Sequence, residues 1–430
     1  MNTIQDLIIN KSHLIIYWFF CIYFQQFVTQ LLLPSTIRFT IWHILWVIDI
    51  VWVMTILIYG IYKKSICLKD PKIFILVIFV LFTTISWLLK QPNHGPYYIF
   101  TLVTLYEQVF IFYTYAKENS IDDIKRLIKK LATIFIYFVS FYSFVSLVCY
   151  VTNYTSFTLP NGTDINVLVA SISLGHKSKR LIGLWTNTSV AGFDCYLAVI
   201  LSLYLINQEN NKTLHSFAII LNSIMLYFTN SRISLLILFF IFICILFFSA
   251  TKKYSFKKTM KLFVSIIITA SALFIAIILY KNPSLIMKLS ENPSYIINKL
   301  SSGRLGMTTK TLSYSKNCLF LGSGYCNSEF TVAAYELIHP HNIFLALLLY
   351  TGIPGLVLFT MFLILNVKDI VHNLDYIKLN NLKWLVVLVI CVFFESLLDI
   401  AIIGAPINIQ TLYFYLCLGI LVKDSTNEKI

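Results

Sequence analysis

Apolar runs of about 20 residues recur along the chain, each long enough to cross roughly 30 Å of hydrocarbon as a helix. No alternating ten-residue strand pattern competes with them, which excludes a membrane barrel. Composition points the same way: 58% of the 430 residues are hydrophobic and 12% charged, with a mean hydropathy of +0.79, whereas soluble domains are roughly 45–50% apolar. The expected fold class is all-α, a polytopic membrane protein forming a single integral membrane domain over residues 1–430. Twelve transmembrane helices are expected, at about 14–33, 41–62, 73–89, 97–116, 131–152, 190–207, 215–229, 233–250, 262–280, 341–365, 384–402 and 408–422.

The formal net charge of +14 raises nucleic acid as a partner, but in a polytopic chain excess Lys and Arg first serve to retain cytoplasmic loops. With the N-terminus inside, 21 of the 33 basic residues fall in inside segments, in clusters such as Lys63 to Lys72, Lys117 to Lys130 and Lys252 to Lys261. The short outside connections hold only Arg38, Lys90 and Arg232. This asymmetry predicts an N-in, C-in topology, with membrane lipids as neighbours and no nucleic-acid partner. The other nine basic residues lie in two long outside loops, 153–189 and 281–340, where positive charge needs another reason.

The second loop opens with an internal repeat, NPSLIMKLS at 282–290 and NPSYIINKLS at 292–301. Its copies suit either two short helices on the outer membrane surface or an ordinary packed loop. Beyond the repeat, Ser301 or Ser302 is placed to cap a short helix carrying Arg304, and Gly322 and Gly324 mark a tight turn. The first apolar run has neither a basic segment nor a small-residue cleavage site and reads as a retained helix. The nine cysteines are scattered without a C-x-x-C, so no disulfide framework is expected.

Three features of the expected outer face bear on chemistry. Arg232, in TNSRIS, stands in the minimal turn between spans seven and eight, where it either binds an anion or snorkels to lipid phosphate. Arg304 stands beside glycines in SSGRLGM. His341 is expected in the first turn of span ten, with Pro340 setting the helix start and exposed backbone N–H groups facing the aqueous boundary. Such a start favours an anion nearby and the neutral imidazole that a general base requires. His339 could serve instead.

One His and two Arg at an outer membrane surface suit transfer from a phosphate-linked donor. Guanidinium forks hold a pyrophosphate leaving group bidentately without a metal, and an imidazole takes the proton of an attacking hydroxyl. No metal site is expected, because Asp164, Glu291, Glu329 and Glu336 show no ligand spacing for Mg²⁺. Within the spans, Asp49, Glu107, Asp194, Glu395 and Asp399 should face the bundle interior. Asp194 and Asp399, near outer helix ends, are placed to orient the arginines or an acceptor. Asp49 and Glu107 lie deeper and keep open a proton-coupled transporter or flippase.

With these residues in view, the chain resembles the bacterial O-antigen ligase and O-antigen polymerase superfamily. His341-Asn342, nine residues, Gly352, two residues and Gly355 follow the ligase pattern of that family. Arg232 in TNSRIS is similar to its arginine after span seven, and Arg304 in SSGRLGM to the arginine ahead of a Pro-Leu-Leu-Gly-x-Gly turn, here CLFLGSGY. Arg180 with Gly183 in RLIGLWTNTS resembles a segment that in the family ends Asn-Pro-Asn; here Asn187-Thr188-Ser189 replaces it.

The resemblance implies a metal-independent, inverting glycosyltransferase that needs no cofactor and works on the outer face of the bacterial cytoplasmic membrane. It would move a glycan from undecaprenyl diphosphate to a sugar hydroxyl of lipid A–core or another glycan acceptor. His341 would activate the acceptor, Arg304, Arg232 and Arg180 would hold the diphosphate, and His339, Asn342, Gly352, Gly355, Asp194 and Asp399 would support them. The His–Asn–Gly–Gly pattern tips the reading towards ligase, with a repeat-unit polymerase as the alternative.

Overall fold

The computed structural model describes residues 11–23, 35–62, 70–90, 107–158, 164–173, 176–185, 188–208, 212–250, 265, 304–324, 330–332, 336–338, 340–397 and 409–423. The order begins with α1 (Lys11–Tyr23), α2 (Ser35–Tyr62) and α3 (Pro71–Lys90), then a π-helical stretch, Glu107–Phe112, running into α4 (Tyr113–Glu118) and α5 (Ile121–Val151). Two hairpins follow, β1–β2 (Ser156–Thr158, Asp164–Asn166) and β3–β4 (Leu168–Ser173, His176–Leu181). Helices α6 (Thr188–Ile206), α7 (Lys212–Thr229) and α8 (Arg232–Ala250) come next, then α9 (Arg304–Ser315) and a third hairpin, β5–β6 (Phe330–Val332, Glu336–Ile338). The last helices are α10 (Ile343–His372), α11 (Leu374–Leu379), α12 (Lys383–Ser396) and α13 (Ile409–Leu421).

The all-α membrane class is what the structure shows, with small antiparallel hairpins added in the two loops that carry the unexplained basic residues. Among the described residues, α5, α6, α8 and α10 are long and apolar enough to cross a membrane, and shorter apolar helices lie at Lys11–Ile22, His43–Ile56, Pro71–Ser86 and Ile409–Leu421. The ninth expected span apart from residue 265, the 282–301 repeat, His339 and Asp399 lie outside the described residues.

Three expected spans differ in extent, the second beginning at Ser35, six residues before its expected start. The fifth, expected from 131, begins ten residues earlier, because Ser120 caps it, its side chain accepting from the Asp123 amide at 3.2 Å. Asp122 and Asp123 suit the positive helix start, and Ile121, Ile124, Leu127 and Ile128 bury one face of the charged first turns. The tenth runs on to His372, seven residues past its expected end.

Helix α6 is the hub. Of its apolar window 78% is buried, against 28–44% for α5, α8 and α10, so it is enclosed while the others keep apolar sides facing outward. It packs against α5, α7, α8 and α12. Helix α13 is buried throughout and seats on α4 through Gly419, where a Cβ would come within 2.7 Å of both the Ala116 Cβ and the Tyr113 carbonyl. That is the small-residue contact by which membrane helices approach closely.

Charged side chains gather at one end of the bundle. Lys72 pairs with Asp369, Lys117 with Asp70, and Lys11 with Glu118 at 2.6 Å. Tyr113 donates to Asn366 at 3.0 Å, and Asn373 to the Lys423 carbonyl at 3.1 Å. These contacts join α1, α3, α4, α10 and the chain after α13 at one end, and the candidate site lies at the other end.

Candidate active site

A series of contacts shows which helix ends come together. Leu184 donates its amide to Ser146 Oγ at 3.2 Å, which puts the start of α6 beside the end of α5. Gly183, at φ +68°, leaves no room for a Cβ: it would sit 2.6 Å from the Ser146 Cβ and 3.3 Å from the Met225 Cε of α7. Tyr196 of α6 donates to Glu395 near the end of α12, and Asn342 Nδ2 donates to the Leu397 carbonyl just beyond α12 at 2.9 Å. The ends of α5, α7 and α12 and the starts of α6, α8 and α10 therefore share one end of the bundle. Arg180, Arg232 and His341 all lie there.

His341 is half-buried and stands two residues ahead of the helix, not in its first turn. Asn342 is the N-cap: its backbone is extended (φ −157°, ψ 131°), and its Oδ1 accepts from the Phe344 and Leu345 amides at 2.9 and 3.2 Å. This corrects the expectation of a helix start open to an anion, since the carboxamide already takes two of the free N–H groups. Pro340 accordingly precedes the cap and does not open the helix. The Asn of the His-Asn pair is thus a clamp. It fixes the backbone next to His341 to α10 through Oδ1 and to α12 through Nδ2.

Replacing Asn342 by alanine is expected to cost about 1–2 kcal/mol of stability, and by serine, which keeps the cap, less. Thermal melts of the purified proteins check this. Equal midpoints for wild type, Asn342→Ala and Asn342→Ser would mean that the carboxamide does not clamp the helix.

Gly352 breaks α10, with φ 68° and ψ −167° inside an otherwise helical run. Gly355, one turn on, faces Thr351, whose Cβ lies where an added Cβ would overlap it. Both glycines are therefore backbone devices inside the helix.

The arginines come from three different elements. Arg232 opens α8 and is exposed. Hydroxyls build its turn: Thr229 donates to the Leu226 carbonyl at 2.7 Å, the Ser231 amide to Thr229 Oγ1 at 3.3 Å, and Ser234 to Ser231 at 3.0 Å. Gly192 of α6 admits this turn, since a Cβ there would come within 2.8 Å of the Ser234 Cβ. Arg304 opens α9, which packs against α10.

Arg180 lies on β4, paired with Val169. It is half-buried, and its Nε is enclosed with no hydrogen-bond partner among the described residues. An enclosed guanidinium N–H in that state suits an anionic ligand.

Asp194 meets Trp185: its Oδ2 accepts from Trp185 Nε1 at 2.9 Å, in a site where Asp194 is buried. Trp185 also sets its ring edge-on to Tyr142 of α5, 5.4 Å between centroids. Asp194 thus steadies the segment that follows Arg180. Ser146 and Trp185 were not singled out from the sequence, where a serine in an apolar helix and a loop tryptophan carry little signal.

The fold and the site define a class: an α-helical membrane protein with arginines and a histidine at one end of its helices. Residues 217–360 match the family model described as O-antigen ligase. This segment takes in Arg232, Arg304, His341, Asn342, Gly352 and Gly355; Arg180 and Asp194 precede it, and Asp399 follows it. No curated protein matches the chain.

Proposed function

We propose that the protein is an O-antigen ligase-like glycosyltransferase of the cytoplasmic membrane, with twelve spans, both termini inside and its site facing outward. It transfers a glycan from undecaprenyl diphosphate to a sugar hydroxyl of lipid A–core or a similar acceptor. One observation carries the reading: Arg180, Arg232 and His341 sit at one end of the bundle, Arg304 opens a helix packed on α10, and the last three residues fall in the O-antigen ligase segment.

In this mechanism the His341 imidazole accepts the proton of the acceptor hydroxyl as its oxygen attacks the anomeric carbon. The bond from that carbon to the diphosphate oxygen breaks, and attack from the opposite face inverts the configuration. Arg304, Arg232 and the enclosed Nε of Arg180 take up the charge that collects on the diphosphate. The scheme calls on no metal or cofactor, since the guanidinium groups supply the positive charge.

A strain deleted for the gene tests this reading through the glycan left on its lipid carrier. Long chains on the carrier are the expected result and mark a ligase. Single repeat units would mean the polymerase alternative, and no lipid-linked glycan of either kind would sink both.

A further inference from the structure

The break in α10 leaves two carbonyls without their usual helical donors. Pro354 has no N–H to offer Tyr350, and the turn at Gly352 directs the Ile353 amide away from Leu349. All these groups are satisfied by a turn some thirty residues earlier in the chain. Ile353 donates to the Leu319 carbonyl at 2.7 Å, Ser323 donates to Leu349 through its amide at 2.7 Å and its hydroxyl at 2.8 Å, and Gly324 donates to Tyr350 at 3.1 Å. Ser86 of α3 closes the contact, its hydroxyl bonding the Leu321 carbonyl and reaching the Tyr350 carbonyl at 3.4 Å.

The approach is backbone on backbone. Gly322 (φ +67°) lies directly on the Tyr350 carbonyl, and a Cβ on Gly352 would come within 2.7 Å of the Phe320 carbonyl. Each glycine therefore serves the other segment, and neither face of the contact leaves room for a side chain.

We infer that this contact is a positioning joint, with Gly322, Ser323, Gly352 and Ser86 as positioning residues that set Arg304 relative to His341; the inference rests on the function proposed above. Helix α9 runs from Arg304 into the turn, and α10 runs from His341 into the break. About 17 Å of helix and the residues 316–318 after it separate Arg304 from the joint, and about 12 Å of helix separates the start of α10, just past His341, from the break. A shift where the segments lock moves the leaving-group arginine against the acceptor base, and misplacement of about 1 Å is enough to slow such a reaction strongly.

The test joins hydrogen exchange with kinetics on the full-length protein in nanodiscs, given membranes of the deletion strain as the source of donor and acceptor. Gly352→Ala is expected to speed amide exchange across 319–324 at least about tenfold and to lower kcat about 10- to 100-fold with KM within about twofold. Ser323→Ala and Ser86→Ala, which introduce no overlap, are expected to show smaller changes of the same kind, and Ser323→Thr to restore both readouts. If Gly352→Ala does not accumulate in the membrane, these variants carry the comparison.

Faster exchange with unchanged kcat overturns the joint, as does unchanged exchange in the variants or a loss confined to KM. Inactive His341→Ala and Arg304→Ala proteins beside fully active joint variants would remove this inference and leave the function standing. Full activity in His341→Ala and Arg304→Ala would remove both.

Discussion

Replacing His341 by alanine is expected to abolish glycan transfer while the protein reaches the membrane at its normal level. Loss of a general base lowers a rate by about 10²- to 10⁴-fold, enough to empty the ladder of surface glycan on a gel and to leave lipid-linked glycan behind. The fold should survive. His341 is half-buried and lies ahead of the cap, so the substitution leaves in place both Asn342 contacts that hold α10. That separation makes the test clean, because activity and membrane level then report different things. His339→Ala is the companion variant, expected to keep transfer because His341 is the histidine adjoining the clamped Asn342. A normal glycan ladder from His341→Ala would turn attention to the transporter reading and to Asp49, which is buried in α2.

Much of the fold could be read from hydropathy, and the physical reason is plain. Lipid forces each span to satisfy its own backbone, so a helix such as α6 or α8 shows as a local apolar run with ends close to where the pattern stops. What escaped the sequence depends on contacts between distant segments. The break at Gly352 is stable only because Leu319, Ser323 and Gly324 supply partners from outside the helix, and a Gly-x-Pro inside an apolar run does not reveal that partner.

In the sequence Asn342 stands only as a supporting residue of the His–Asn–Gly–Gly pattern; its side chain is occupied by the Phe344 and Leu345 amides and the Leu397 carbonyl. The start of α5 was missed because its first turns are amphipathic and charged, a pattern that an apolar-window reading discards. At the site, residue types and order were legible for Arg232, Arg304 and His341. The surroundings that hold them were not: the Gly192–Ser234 contact, the Trp185–Asp194 bond and the docked turn are all products of packing.

Arg304→Ala is expected to show the other large loss, and Arg304→Lys to recover only part of it. A guanidinium fork meets a diphosphate through two parallel N–H donors and stays charged, whereas an ammonium is a single, strongly hydrated point charge. Removing one such contact from a developing anionic leaving group is expected to slow transfer by about 10²- to 10³-fold, with lysine in between. Arg304 opens α9, and its side chain is half-exposed, so neither substitution removes a buried anchor.

The comparison with Arg232 sharpens the meaning of the result. Arg232 is exposed at the start of α8, and if it served only to meet lipid phosphate, Arg232→Lys would keep nearly full activity, because either cation can snorkel. A bidentate role predicts a lysine deficit at both positions. Transfer rates for Arg304→Ala, Arg304→Lys and Arg232→Lys, measured at matched membrane levels, separate the cases. Equal rates for Arg304→Ala and wild type would place the leaving-group charge elsewhere and make the enclosed Nε of Arg180 the next group to remove.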